Sequence, residues 1–263
     1  MMLIVRMDTG QGGSTFVLVH GGRQGGWSWQ RVARRLRAWG HEALTPTLTG
    51  VGERAHLLRP EIDLDAHVAD LLAVLEYEDV RDAVLVGHSY GGMVITAACE
   101  AVPPGRIGSL TYFDALLPRP GENAYDLMNP TITADLRAAV ASQGDGWRVP
   151  ARTGRGVFGL TDPDDVEWAG ARLTDQPART YEQPLRSDAA ASAHPRAFIR
   201  CTDPAVIPDD VVDRARNDPS WHYREIAGPH AAMISAPDVV ADALVTAAAA
   251  LARREVPEAG QAS

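Results

Sequence analysis

The sequence predicts one α/β unit built on a mostly parallel central sheet with helices on both faces. Three observations carry this. Apolar, β-rich runs alternate along the chain with stretches whose apolar residues recur at helical spacing, the pattern of repeated strand–helix units. The apolar runs are continuous rather than alternating, as expected of strands covered on both faces. Glycine-rich turns stand where such strands pass into helices, most clearly at Gly87-His88-Ser89-Tyr90-Gly91-Gly92.

Taken in order, residues 15–19 read as a buried strand ending at His20-Gly21-Gly22, followed by a helix with Trp29, Val32, Ala33 and Leu36 on one face, closed by Gly40. Residues 41–45 read as a short strand and 46–63 as a long polar loop. Asp63 or Asp65 caps a helix carrying Leu64, Val68, Leu71, Leu72 and Leu75. Residues 83–86 form the strand before Ser89, a helix follows through Cys99, and 109–113 form the next strand. The pattern then breaks: residues 118–195 show no clear strand, several short helical segments and many Pro, Gly and Asp, which predicts an inserted helical cap. Strand texture resumes at 197–201 and 221–226. A last helix carries Val240, Leu244 and Leu251, and the tail after Glu255 is expected to be disordered. The core is thus 1–117 with 196–263, and the cap is 118–195.

Composition narrows the function classes. With 45% apolar and 22% charged residues the chain is ordinary for a globular protein. A net charge of −9 argues against a nucleic-acid partner, because phosphate binding needs clustered Lys and Arg. Arg31, Arg34, Arg35 and Arg37 share one helix beside its apolar stripe and are expected to form a solvated face. Cys99 and Cys201 have neither CxxC nor metal-ligand spacing and are expected to be core residues in a reducing compartment. No metal, cofactor or membrane partner is expected. The opening apolar run, Met1 to Val5, is too short for a secretory segment, so the expected location is cytoplasmic.

The chemistry concentrates at Ser89. Gly87-His88-Ser89-Tyr90-Gly91 matches G-x-S-x-G, and a buried strand runs into it and a helix out of it. Such a reversal exposes the serine hydroxyl at the carboxyl edge of the sheet, where open α/β sheets bind ligands. A serine hydroxyl needs a general base. Among eight histidines, His230 alone follows the last strand and the Gly228-Pro229 turn and precedes the last helix. His20 is expected to shape its turn, His88 to point away from the site, and His41, His56, His67, His194 and His222 to be structural or superficial. The N–H groups of Tyr90 and Gly22 are the candidate oxyanion donors. Two aspartates at strand ends, Asp114 and Asp203, are candidates for the acid that orients His230. In the cap, Met128, Trp147, Phe158, Trp168 and Tyr181 are candidates to line an apolar pocket.

These residues resemble the α/β-hydrolase superfamily over nearly the whole chain. Within it, 16–22, Gly25-Gly26-Trp27-Ser28-Trp29, Gly40-His41, 198–202 and 228–233 are similar to the plant methyl esterase and hydroxynitrile lyase family and to related bacterial esterases. In the lyases a threonine stands in the first turn and a lysine directly follows the catalytic histidine. Gly21 and Ala231 occupy those places here, which favours the esterase branch. In the plant esterases the strand matching 198–202 is followed by Glu-Asp, with the Asp catalytic. Here Asp203-Pro204 puts proline at the matching position. Tyr112-Phe113-Asp114-Ala115 resembles a motif of some haloalkane dehalogenases whose acid follows this strand, so Asp114 is preferred and Asp203 is the alternative. The resemblance implies hydrolysis of a small-molecule carboxylic ester, lactone or thioester through an acyl-Ser89 intermediate, without cofactor. A cofactor-free lyase or cyclase on the same fold, and a non-catalytic small-molecule receptor, are the alternatives. Oligomeric state is not legible.

Overall fold

The computed structural model describes residues 13–151 and 157–254. Strands β1 (Thr15–Val19), β2 (Glu42–Leu44), β3 (Ala83–His88) and β4 (Ile107–Phe113) alternate with helices α1 (Gln30–Ala38), α2 (Leu64–Tyr77) and α3 (Gly91–Ala98). Residues 118–195 hold helix α4 (Pro130–Gln143), the two-residue strands β5 (Arg148–Val149) and β6 (Gln176–Pro177), and short helices α5 (Pro163–Gly170), α6 (Arg179–Glu182) and α7 (Ala189–Ser192). The chain returns through β7 (Arg196–Cys201), α8 (Asp209–Arg216), β8 (Trp221–Ile226), α9 (Ala232–Ser235) and α10 (Pro237–Arg254). The expected disordered tail after Glu255 lies outside the described residues.

Six strands form one sheet in the order β2-β1-β3-β4-β7-β8, with every pair parallel. The strand residues partition by parity. Val17, Val19 and Leu85 join a core with Leu64, Leu71 and Leu75 of α2 and Met93 and Val94 of α3. Phe16, Leu18, Val84 and Val86 join a second core with Val32 and Leu36 of α1 and Val240, Leu244 and Leu251 of α10. Each face thus takes every second residue of runs that are apolar throughout, which is why the runs are continuous. The chain leaves β1 toward β2 and comes back to β3 on β1's other side, so the carboxyl ends of β1 and β3 flank a switch point of the topology.

Several expectations are refined. Asp63 rather than Asp65 caps α2, accepting from Ala66 N at 3.1 Å. The loop 46–63 contains a 3₁₀ segment, Gly52–Leu57. Trp29 belongs to a 3₁₀ turn before α1 and is fully buried. The absence of strand expected in 118–195 does not hold, since β5 and β6 pair antiparallel. Arg34, Arg35 and Arg37 are exposed as expected, whereas Arg31 is half-buried and bonds Asp165 at 2.6 Å, tying α1 to α5. Cys99 and Cys201 are free and buried. No described helix is long and apolar enough to cross a membrane.

Candidate active site

Strand register brings the candidate residues to one edge. Val19 pairs with Gly87 and His88 with Phe113, so the 20–22 turn, Ser89 and Asp114 leave three adjacent strands at nearly one level. His230 reaches the same edge from the loop after β8.

Ser89 sits at φ 52°, a conformation that costs an L-residue free energy and persists where neighbours hold it. Its carbonyl accepts from Gly92 N and Leu116 N, both at 3.0 Å. The flanking glycines are required by close approach: a Cβ at Gly87 would stand 2.7 Å from the Gly91 carbonyl oxygen, and one at Gly91 would stand 2.8 Å from that of Val19. The strand can therefore turn sharply into α3 against β1, leaving Ser89 only half-buried.

His230 is 3% exposed and donates from Nδ1 to Asp114 Oδ2 at 2.5 Å. A carboxylate oxygen can only accept, so this bond places the proton on Nδ1 and leaves Nε2 as the acceptor nitrogen. Asp114, fully buried, is held in turn by Cys201 N–H at 3.1 Å to Oδ1, while its own N–H donates to Ile199 O at 2.7 Å. Asp203 is exposed, and its backbone N–H bonds Gly228 O at 3.0 Å. Of the two candidate acids, it is Asp114 that meets His230.

His88 is the member of the site that the sequence did not single out. Rather than pointing away from the site, its ring lies 4.5 Å from that of His230, and Nε2 donates to the His230 carbonyl at 2.9 Å, pinning the His230 loop. Burial holds its pKa well below the ordinary value, so it stays neutral. A Cβ at Gly21 would stand 2.8 Å from His88 Nδ1 and 3.0 Å from Ser89 Cβ, so a threonine has no room there. Ala231 is fully buried and donates its N–H to Phe158 O at 3.1 Å, so the place of the lyase lysine is held by a small apolar side chain.

The two candidate oxyanion donors are differently framed. Tyr90 opens α3, where first-turn N–H groups lack an intrahelical partner. Its side chain is buried, bonded to His67 Nδ1 at 2.9 Å; His67 Nε2 donates to Thr49 O. Gly22 lies between two engaged amides: Gly21 N–H donates to Gln24 Oε1 at 3.3 Å and Arg23 N–H to Gln176 Oε1 at 2.6 Å. Among the described residues the Gly22 N–H has no partner. His20 shapes this turn as expected, bonding Gly21 O and Leu48 N through its two ring nitrogens.

The five candidate pocket residues separate. Tyr181 is buried, stacks on Tyr90 at 5.3 Å and sets its hydroxyl over Gly22, 1.8 Å from where a Cβ would stand. Phe158, at φ 54°, lies 6.1 Å from the His230 ring. Met128 is half-buried against the core containing Tyr90 and Tyr181. Trp168 meets Trp27 edge-on at 5.3 Å and lies between the guanidinium groups of Arg31 and Arg172, and Trp147 stacks with Arg148. The ring contacts of these two tryptophans are with Trp27 and with arginines.

A strand–Ser–helix elbow, a buried Asp–His pair and a glycine turn on one sheet edge decide what the comparisons mean. The family model described as Alpha/beta hydrolase family matches residues 16–243. The chain belongs to that family. A carbendazim hydrolyzing esterase from Nocardioides is 34% identical over 243 residues, covering 88% of this chain and 98% of the relative. A pheophorbidase from Raphanus sativus is 27% identical, covering 87% and 93%. Among solved structures, an extracellular alpha/beta-hydrolase from a Paenibacillus species aligns with a TM-score of 0.78 at 22% identity, over 89% of this chain and 98% of that one. The α/β-hydrolase is therefore one of esterase type.

Proposed function

We propose that this α/β-hydrolase cleaves the carboxylic ester, lactone or thioester of a small, largely apolar molecule through an acyl-Ser89 intermediate. The observation that carries the reading is the His230–Asp114 bond of 2.5 Å beside a serine held at φ 52°. His230 Nε2 takes the Ser89 proton as Oγ attacks the carbonyl; Asp114 keeps the imidazole in the tautomer that permits this and stabilises the imidazolium formed. The N–H groups of Gly22 and Tyr90 receive the developing oxyanion. His230 then protonates the leaving alkoxide or thiolate, and next activates water to release the acid and regenerate Ser89. Asp203 has no part in this scheme.

In the same reading residues 118–195 act as a cap: Tyr181 and Phe158 bring apolar walls over the sheet edge. The lyase reading is less well supported, because Gly21 and Ala231 stand where the lyase pattern has threonine and lysine. A cytoplasmic location belongs to the proposal and rests on the sequence. The test is acid quenching during turnover of p-nitrophenyl butyrate, followed by peptide mass analysis. The reading requires one butyryl group on the peptide carrying Ser89; ester turnover with no acylated Ser89 would contradict it.

A further inference from the structure

Arg23 follows the candidate oxyanion glycine directly and is held at φ 64°, a left-handed conformation that non-glycine residues rarely adopt. The bond from its N–H to Gln176 Oε1 keeps it there. Its guanidinium is aimed at the site: the carbon of the group lies 5.4 Å from the centre of the Phe158 ring, which in turn faces His230, and its charge acts on the Tyr181 hydroxyl that sits above Gly22.

The charge is not compensated. Half-buried Arg31, Arg54, Arg148 and Arg214 each meet a carboxylate at 3.0 Å or less. Arg23, equally half-buried, meets none among the described residues, and its Nε is buried without a hydrogen-bond partner. A guanidinium carries five N–H donors in a planar fork that matches a carboxylate, and a half-desolvated cation left without one lacks its best partner. The Phe158 ring face supplies only part of that demand.

We propose that Arg23 is a specificity-determining residue that binds an ionised carboxylate on the substrate, so that the preferred esters are half-esters: small molecules bearing one ester and one free acid group. The inference deepens the acyl-Ser89 reading and takes its choice of esters from it. The carboxylate sits between Arg23, which donates its N–H groups, and the Tyr181 hydroxyl, which donates its O–H. The scissile carbonyl then lies over Gly22, one residue away. Arg23 supplies orientation and binding, not proton transfer.

The experiment compares mono-p-nitrophenyl glutarate, which carries a carboxylate, with p-nitrophenyl pentanoate, which is similar in length and neutral. Wild type should favour the charged ester in kcat/KM. Arg23→Gln should lower the charged-to-neutral ratio tenfold or more, mainly through KM, and Arg23→Lys should recover part of it. A merely structural role predicts equal losses on both esters and an unchanged ratio, and that result overturns the proposal. A second arm separates this inference from the nucleophile. In Ser89→Ala, calorimetric titration should show monomethyl glutarate binding at least tenfold more tightly than dimethyl glutarate, and the additional change Arg23→Gln should abolish the difference. If Ser89 fails to acylate but this preference holds, the acyl-serine reading falls and the anion subsite stands. If the two glutarates bind alike, the subsite falls whatever Ser89 does.

Discussion

The sheet edge and the segment 118–195 are held by different mixtures of contacts. At the edge, Asp114, His88, His20 and His230 are all nearly or fully buried, and each is bonded to another buried group. Removing one partner there leaves a desolvated polar group unsatisfied, which costs about 1–3 kcal/mol and more for a charge. Segment 118–195 also buries Leu127, Leu136, Tyr181 and the bonded pair Gln176–Thr180, but much of its remaining contact is cations over aromatic faces, such as Arg137 over Tyr125 and Arg172 over Trp168, with exposed arginines, and ion pairs open to solvent, such as Arg148 with Asp145. Contacts of that kind are worth about 0.5–1 kcal/mol each at exposed sites. Changes at the edge therefore cost more than changes to the exposed contacts of the segment above. That division suits a common bond-cleaving apparatus beneath variable specificity.

The comparison can be broken most sharply at the aspartates. Asp114→Asn should lower kcat by roughly 10³–10⁴-fold, because an amide in that place no longer selects the Nδ1–H tautomer, and Asp203→Asn should change it by less than about threefold, as for a surface residue away from the chemistry. Steady-state kinetics on p-nitrophenyl butyrate decide this, and equal effects of the two would contradict the account. Gly22→Ala comes next. The new methyl would meet the Tyr181 hydroxyl at 1.8 Å, and Tyr181 is wedged against Tyr90 and Tyr125 at 5.3 and 5.4 Å. We expect kcat to fall by roughly 10²-fold, the scale of a lost oxyanion donor, with a lower melting temperature from the forced displacement; near-normal kcat would remove Gly22 from the site.

A smaller effect concerns pH. Burial pushes the pKa of both His20 and His67 from 6.5 down to about 4, so each is neutral in the folded state. Unfolding exposes them at their ordinary value, and between pH 6.5 and about 4 the unfolded chain binds protons that the folded chain refuses. Stability should therefore fall as pH falls through that window, each histidine adding about 1.4 kcal/mol per pH unit to the slope. Denaturant unfolding at a series of pH values measures it, and a flat profile would contradict the buried neutral assignment. The smallest effect is expected at Trp147→Ala. A half-buried ring stacked on Arg148 should cost about 1 kcal/mol of stability and leave kcat/KM within about twofold of wild type; a large catalytic loss would return Trp147 to the pocket.

Much of the edge is legible in the sequence because sheet strands buried on both faces must be apolar throughout. The apolar run 83–86 reads as a buried strand, and the glycine-flanked serine just beyond it, with a helix following, reads as an elbow. His230 is legible from its place after the last strand. Asp114 is separable from Asp203 in the sequence only through the resemblance, because both end a strand; the structure joins Asp114 to the buried His230 and leaves Asp203 exposed. The role of His88 was hidden for a different reason. Nothing in Gly87-His88-Ser89 signals that its ring lies under Gly21 and bonds a carbonyl 142 positions away. Strands β5 and β6 are two residues long and one contains Pro177, too little for any periodicity to register. The tryptophans at 147 and 168 are pocket candidates by type, and their arginine neighbours are not legible in the sequence.

The central claim is that Ser89 is activated by a His230 that Asp114 orients. Its most direct test is intact-mass spectrometry after brief exposure to a fluorophosphonate, on wild type, Ser89→Ala, Asp114→Asn and Asp203→Asn. The account predicts one adduct on wild type, none on Ser89→Ala, strongly slowed labelling of Asp114→Asn and an unchanged rate for Asp203→Asn. An unlabelled wild type, or a rate that depends on Asp203 rather than Asp114, would contradict it.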